Sequence, residues 1–514
     1  MISKLTRFYR TSSNFRILFP LRAAFAAMAL SATVSMAATA APPDTLTLSL
    51  DDAIARARTN SVDAAVALDE LRQAYWEYRT YRADLLPEVT FNATLPAYYK
   101  QYTSYMDADG AYSFVRNNYL QMNGSIAVSQ SIWPTGGTLS LTTSLDFYRD
   151  LDQVAAGNRF MSIPVALTLN QPVFGVNHTK WRRRIEPERY AEAKAAFLSA
   201  SEDVALQAID LYFSLLLAVE NHRIALQNLD NASRLYEVAR EKREMGQISR
   251  NDLLQMELNR LDATSELTDC ESALKQAMFT LRAFLDLPES VDISPVMPAR
   301  TPRAEITYAD ALDRALTNNK FARNVRRRQL EADYAVASAK GDLREISLFA
   351  RVGFTGTDSG IGQAYRRLHD NQGVELGLSI PLLDWGKRRG KVKVAESNRR
   401  VVESTIRRET MDFNQDIFIL VERFNNQRRQ LDIARRADEI AAQRYATNVE
   451  TFMIGRISTL DLNDSQAKKD SARQNFVNQL FRYWSYYYRL RSLTLWDYEL
   501  HTGIDADFSK ILRQ

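Results

Sequence analysis

At 514 residues the chain is long enough for two or three domains, and its 46% hydrophobic and 25% charged residues exclude a disordered polymer. The formal charge of +4 belongs to the N-terminus: Lys4, Arg7, Arg10, Arg16 and Arg22 precede the first acid. The remainder is close to neutral, which leaves no bulk electrostatic argument for nucleic acid.

Residues 1–40 read as a secretory signal peptide: a basic lead, an apolar run over 23–34, then small residues with cleavage after Ala37 or Ala40. A membrane anchor is the competing reading, for which the run is short. No cysteine lies near the cleavage region to carry a lipid, and the single Cys270 cannot form an intramolecular disulfide. Past the signal no apolar run reaches the length of a helical membrane span.

Residues 44–87 form a first helical arm. Apolar Ile54, Ala57, Val62, Ala65 and Leu68 recur along it, the aromatic run Tyr75-Trp76-Glu77-Tyr78-Arg79-Thr80-Tyr81 closes it, and Pro87 stops it. Residues 88–171 read as β: Val89, Phe91, Ala93 and Leu95 alternate with polar neighbours, and so do Val165, Leu167 and Leu169. Between them, Ile126-Ala127-Val128-Ser129 and Leu139-Ser140-Leu141-Thr142 flank the turn Trp133-Pro134-Thr135-Gly136-Gly137. This alternation suits a membrane barrel. It equally suits a soluble sandwich or a β-tip on a helical stalk.

From about Val176 the period changes. Val204, Ala208, Leu211, Leu215, Ala218, His222, Ala225, Leu229, Ala232, Tyr236 and Ala239 step by 4 and 3, the 3.5-residue period of left-handed coiled-coil packing. A turn at Gly246-Gln247-Ile248-Ser249-Arg250-Asn251-Asp252-Leu253 sends the chain back along a helix of half the length.

Then the chain repeats itself. Residues 172–285 lie over 381–494 at one constant offset without a gap: Pro172 on Pro381, Ala225 on Ala434, Tyr236 on Tyr445, Leu281 on Leu490. The turn recurs as Gly455-Arg456-Ile457-Ser458-Thr459-Leu460-Asp461-Leu462, and the arm motif Asp52-Ala53-Ile54 recurs as Asp310-Ala311-Leu312. The second seam runs through Phe413, Ile417, Leu420, Phe424, Gln427, Leu431, Ala434, Asp438, Ala441, Tyr445 and Asn448. The first repeat carries about 49 extra residues between its arm and Pro172, most simply one inserted hairpin, since the second shows only two strands near 347–355 and 373–380. The expected organisation is a signal peptide (1–40), a first repeat (44–286), a Pro-rich mid-height linker (287–305), a second repeat (306–497) and a weakly patterned, disordered tail (498–514).

This order of repeats resembles the TolC-like outer-membrane factor family over essentially the whole mature chain. The motifs that carry the resemblance are the junction Ser379-Ile380-Pro381-Leu382-Leu383-Asp384-Trp385-Gly386, its partner Asn170-Gln171-Pro172-Val173-Phe174-Gly175, and the two Gly-x-Ile-Ser-x-x-Asp-Leu turns. The resemblance implies a mainly α fold with a membrane β-barrel portion. In such a fold duplicated helix–strands–long helix hairpins assemble as a homotrimer into an α/β-barrel tunnel. It further implies a passive exit duct of an efflux or type I secretion system, set in outer-membrane lipid and working with a periplasmic adaptor and an inner-membrane pump. A periplasmic coiled-coil structural or adaptor protein without a barrel is the alternative.

Elementary chemistry at the turns agrees. Gly246 and Gly455 suit a positive φ at a helix end, Ser249 and Ser458 cap the next helix, and Asp252 and Asp461 sit in its first turn. By position, the resemblance makes Asp461 and Asp464 a ring of acids at the tunnel entrance. Asp252 matches a residue that latches the closed entrance to a tyrosine. Here the partner position holds Phe452, without a hydroxyl, and Arg456 lies one place from the family's basic latch residue, leaving an Asp252–Arg456 contact open. Basic clusters at 180–184 and 387–393 open the long helices and face lipid head groups, the duct or solvent. The four histidines show no metal-ligand spacing, and no phosphate loop or nucleophile elbow is present, so neither a cofactor nor an enzyme is expected.

Overall fold

The computed structural model describes residues 44–106, 109–152, 157–343, 345–379, 383–453 and 456–513. The expected signal peptide lies outside them.

Each repeat follows one plan. The first has β1 (Asp44–Leu48), α1 (Leu50–Asn60), α2 (Val62–Ala83), four strands β2 (Glu88–Met106), β3 (Tyr112–Ile132), β4 (Gly137–Asp150) and β5 (Asn158–Pro172), then α3 (His178–Glu244) and α4 (Arg250–Phe284). The second has β6 (Val291–Pro295), α5 (Tyr308–Asn318), α6 (Lys320–Gly341), β7 (Glu345–Asp358), the short α7 (Ile361–Ala364), β8 (Leu368–Ser379), α8 (Lys387–Met453) and α9 (Thr459–Thr494). The chain closes with β9 (Trp496–Asp497), β10 (Thr502–Gly503) and α10 (Phe508–Ile511).

Helices α3 and α8 have 67 residues each, roughly 100 Å at 1.5 Å per residue. Both predicted seams are buried or half-buried along their whole length. Two of the polar seam residues have partners: Gln427 donates to the Gln479 backbone oxygen at 2.9 Å, and Asp438 accepts from Arg473 at 3.0 Å. Above mid-height the long helices pack with the arms in the order α2-α3-α6-α8; below it the returning helices replace the arms, in the order α4-α3-α9-α8.

Each arm is two helices, not the single one expected. Ser61 ends α1 and caps α2 with its side chain on Ala64 N, and Asn319 does the same between α5 and α6. Both cap residues adopt extended backbone (ψ 149 and 150), so the break is local chemistry: a short polar side chain competes with the helix for backbone donors.

The core sits at mid-height, where both breaks, the linker and the chain end converge. Tyr212, halfway along α3, donates to Leu48 O at 2.9 Å and Val296 O at 2.6 Å, fastening the two-stranded β1–β6 ribbon. The linker expected at this height is therefore partly a strand. Glu202, buried to 2%, accepts from Arg58 of α1 and Arg491 of α9. A further aromatic run, Tyr483-Trp484-Ser485-Tyr486-Tyr487-Tyr488 of α9, packs within this one chain: Tyr483, Trp484, Tyr487 and Tyr488 are all buried, and Tyr487 donates to Asp497. The tail, expected to be disordered after Trp496, is ordered through residue 513. Asp497 accepts the amides of Glu499 and Leu500, and Phe508 meets Phe197 of α3.

Six long strands form one antiparallel sheet in the order β2-β3-β4-β5-β7-β8. One rung runs Val89–Val128–Leu141–Leu167–Val352–Gln372 across all six. The neighbouring rung, on the opposite face, is Thr90–Ala127–Thr142–Ala166–Gly353–Asn371. The apolar face is exposed: Val89 is 66% and Val352 52% accessible. A soluble sandwich would cover that face with a second sheet, and none lies on it among the described residues.

Candidate functional site

The two ends of the long helices hold the residues singled out from the sequence. At the far end, α3 stops on Met245 and Gly246, whose φ of +76 is the left-handed conformation a side chain disfavours. Gln247 N bonds back to Lys242 O at 2.8 Å, and Arg243 clasps the turn through Ile248 O at 3.0 Å. Ser249 then caps α4. Its hydroxyl accepts from Asp252 N at 3.1 Å while the Asp252 carboxylate takes Ser249 N, a closed capping box.

The second turn repeats the device. Gly455 lies outside the described residues. Phe452 lies half-buried in the last turn of α8, Arg456 N bonds Thr451 O at 3.1 Å, and Ser458 and Asp461 form the second capping box. Hydrogen bonds from the Ser458 hydroxyl and amide hold the Asp461 carboxyl below the usual carboxylate range, with Arg444 adding to them. Asp464, one turn further on the same face, is half exposed and takes Arg444 at 3.0 Å, with Lys468 at 3.9 Å. Asp252 makes no ion pair with Arg456: its carboxylate serves Ser249. Within one protomer, then, Asp461 and Asp464 share a helix face, and Asp252 and Phe452 are not joined.

Arg444 was not singled out from the sequence. It precedes Asp464 by 20 residues, with the Gly455 turn about midway, and folding the hairpin back on itself brings the two level. Just above, the two hairpins meet along a polar cleft of about 390 Å³ lined by Asn228, Asn259, Asp262, Asn463, Gln466 and Asp470. Asn228 donates to Asp470 at 3.0 Å and Asn231 to the Tyr445 hydroxyl at 2.9 Å, so hydrogen bonds join the apolar contacts of Ala225, Ala232 and Met256 in this part of the interface.

At the sheet end the junctions differ. Pro172 closes β5 opposite Ser347, and Gly175 follows it; a Cβ on Gly341 would stand 2.8 Å from Val176 N, so the end of α6 lies directly on this crossing. Pro381 lies outside the described residues. Asp384 accepts the amides of Gly386 and Arg388, both at 3.0 Å, and starts α8, with Gly386 at φ +81. The first basic cluster is engaged rather than free: Arg182 pairs with Asp84, and the Arg183 guanidinium lies 4.0 Å over the Trp133 ring. In the second cluster Arg388 donates to Asp342 O. The aromatic run at the end of α2 docks on α3, with Tyr78 stacked on Tyr190 at 4.9 Å, while Trp76 stays 56% exposed.

No described helix is long and apolar enough to cross a membrane. Comparison with solved structures gives the same architecture. The Campylobacter jejuni CmeC outer membrane channel superposes with a TM-score of 0.63 at 15% identity, covering 90% of this chain and 88% of that one. The Vibrio cholerae outer membrane protein VceC does so with a TM-score of 0.61 at 14% identity, over 89% and 97%. The Neisseria gonorrhoeae MtrE channel in its open state follows at 0.57 and 13%, over 89% of each. Among characterised sequences, Nodulation protein T of Rhizobium leguminosarum bv. viciae is 23% identical over 380 residues, 70% of this chain and 74% of that relative. The family described as Outer membrane efflux protein matches residues 53–286 and 312–494, both repeats. The chain is therefore an outer-membrane protein belonging to the outer membrane efflux protein family.

Proposed function

We propose that three copies of this chain form a passive exit duct of a tripartite efflux or secretion system. The sheets close into a shared barrel in the outer membrane, and the helices form a tunnel reaching toward a periplasmic adaptor and an inner-membrane pump. The observation that carries this is the separation of two unlike ends on one rigid frame. An exposed apolar sheet face stands at one end, and two capped acidic turns stand at the other, across helices of roughly 100 Å. An unpartnered apolar face of this extent needs lipid or protein to cover it, and an outer-membrane protein has lipid beside it. The polar face, with Asn123 donating to Asp146 at 2.6 Å, then lines water.

Asp461 and Asp464 form the cation-attracting constriction at the entrance, six carboxylates in a trimer. Asp252, Phe452 and Arg456 flank it, and Gly246, Ser249, Gly455 and Ser458 shape the tips. Pro172, Gly175, Pro381, Asp384 and Gly386 turn strand into helix. The purified mature protein in a planar bilayer tests the duct. Small cation-selective steps that enlarge after Asp461→Asn with Asp464→Asn support both duct and entrance. A protein that stays soluble and monomeric without detergent and passes no current refutes the barrel.

A further inference from the structure

The β3–β4 hairpin has no counterpart in the second repeat, where β7 and β8 are joined through the short α7. From its position in the sheet we infer that it crosses the bilayer as two additional barrel strands, so that each copy contributes six strands to the wall rather than four. This rests on the barrel reading proposed above.

Three observations carry it. First, the hairpin lies inside the sheet, with β3 on β2 and β4 on β5, rather than beyond its outer ends. Second, its alternation is in phase with its neighbours. Leu120, Met122, Ile126 and Val128 of β3, and Leu139, Leu141, Leu145 and Phe147 of β4, share the apolar face of Val89 and Val352. Between residues 117 and 148 the hairpin carries one charge, Asp146, and it stands on the polar face paired with Asn123. From Leu120 to Ile132 the strand rises roughly 30 Å along the membrane normal at ~40° tilt, enough for an apolar band of about 25 Å.

Third, the turn of the hairpin is fastened at the helix end of the sheet. Asn177, the N-cap of α3, donates to Trp133 O at 2.9 Å and Pro134 O at 3.0 Å while its own oxygen takes Lys180 N. Gln171 donates to Thr135 O at 3.0 Å, and Gln130 reaches Leu85 O at 2.9 Å between α2 and β2. Arg183 covers the Trp133 ring. An external loop would turn at the opposite end.

The widths agree as well. Six strands at about 4.8 Å spacing and ~40° tilt occupy roughly 38 Å of circumference. The four helices beneath them, α2-α3-α6-α8, occupy about 40 Å at ~10 Å each. With six strands the sheet and the helices beneath it match in width, and a three-copy barrel has 18 strands, about half again as wide as one with four strands per copy.

Single cysteines in full-length Cys270→Ser protein, labelled with bimane and placed in brominated-lipid vesicles, test this. Phe91→Cys and Val352→Cys report the flanking strands; Ile126→Cys and Leu141→Cys report the hairpin; Ser125→Cys and Thr142→Cys report its other face. The inference expects loss of emission at Phe91, Val352, Ile126 and Leu141 and none at Ser125 or Thr142. Loss at Phe91 and Val352 alone leaves a barrel but overturns the added strands. No loss anywhere overturns the barrel itself. A protease site inserted at Thr135 supplies a second readout: external protease on intact cells leaves it uncut if the turn faces the periplasm and cuts it if the hairpin is an outside loop. A site inserted at Gly110 is the positive control.

Discussion

Arg444 of α8 donates to Asp464 of α9 across 3.0 Å, so half of the acidic pair at the tip is countered within its own protomer while Asp461 is turned to its cap. At the proposed entrance the net field is therefore set by four side chains, Asp461, Asp464, Arg444 and Lys468, not by the two acids alone. Replacing Arg444 by Ala is expected to strengthen cation selectivity and block by multivalent cations. Asp461→Asn with Asp464→Asn should weaken selectivity by roughly tenfold, in the range by which charged clefts concentrate counter-ions. Reversal potentials in asymmetric salt measure both; an Arg444→Ala channel with unaltered selectivity would remove the pair from the constriction.

Glu202 holds two arginines with a side chain only 2% exposed. Glu202→Ala leaves Arg58 and Arg491 beside an empty site at the junction of α1, α3 and α9. A loss of about 3–5 kcal/mol is expected, the range for breaking a buried pair. Thermal unfolding in detergent measures it, and a melting temperature unchanged by the substitution would contradict the network's role.

Both tips depend on a serine cap. Ser249→Ala and Ser458→Ala should each destabilise the local helix start by about 1 kcal/mol. Hydrogen exchange is expected to speed up at the first turns of α4 and α9 while the mid-height core is unaffected. Equal acceleration throughout would mean that the tips do not open independently.

Acid acts on the lower helices, from the tip at Asp461 up to Glu220 near mid-height. Asp461 is held below its ordinary 3.8 by Ser458, and Glu220 below its ordinary 4.5 because hydrogen bonds from Arg223 and Arg473 outweigh its burial. A depressed carboxyl stabilises the fold above its unfolded pKa, and that contribution disappears as pH falls through the lower, folded one. The lower helices should therefore loosen below about pH 4. Protease access to the tips across pH 3–6, compared with Asp461→Asn, reads this directly.

Alkali acts on the core instead. Burial pushes the Tyr212 phenol from 10.0 up to about 12. A raised phenol leaves stability intact below pH 10, and it is lost as pH rises through about 12. Tyr212→Phe should lower stability at neutral pH by about 1–3 kcal/mol, because Val296 O loses its donor while Leu48 O keeps the Val296 amide. The same variant should flatten the alkaline loss; denaturant melts from pH 8 to pH 12 decide it.

The duplication, the 3.5-residue seams and the serine caps were legible from the amino-acid sequence because each is a local pattern. A seam such as Val204–Ala239 shows itself through spacing alone, and a Ser three residues before an Asp builds its own capping box. The breaks at Ser61 and Asn319 carried the same kind of signal and were missed because the apolar period runs straight across them. What only the tertiary structure decided is where distant segments meet. Alternation shows that Ile126 and Leu141 lie on strands, but not that β3 and β4 stand between β2 and β5 with their turn on Asn177. It does not bring Arg444 level with Asp464, place the aromatic run at Tyr483 inside its own protomer, or draw the tail onto α3. Local periodicity fixes which face of an element is apolar; the choice of partner for that face depends on chain closure and on mutual fit across hundreds of residues, which no window of sequence contains.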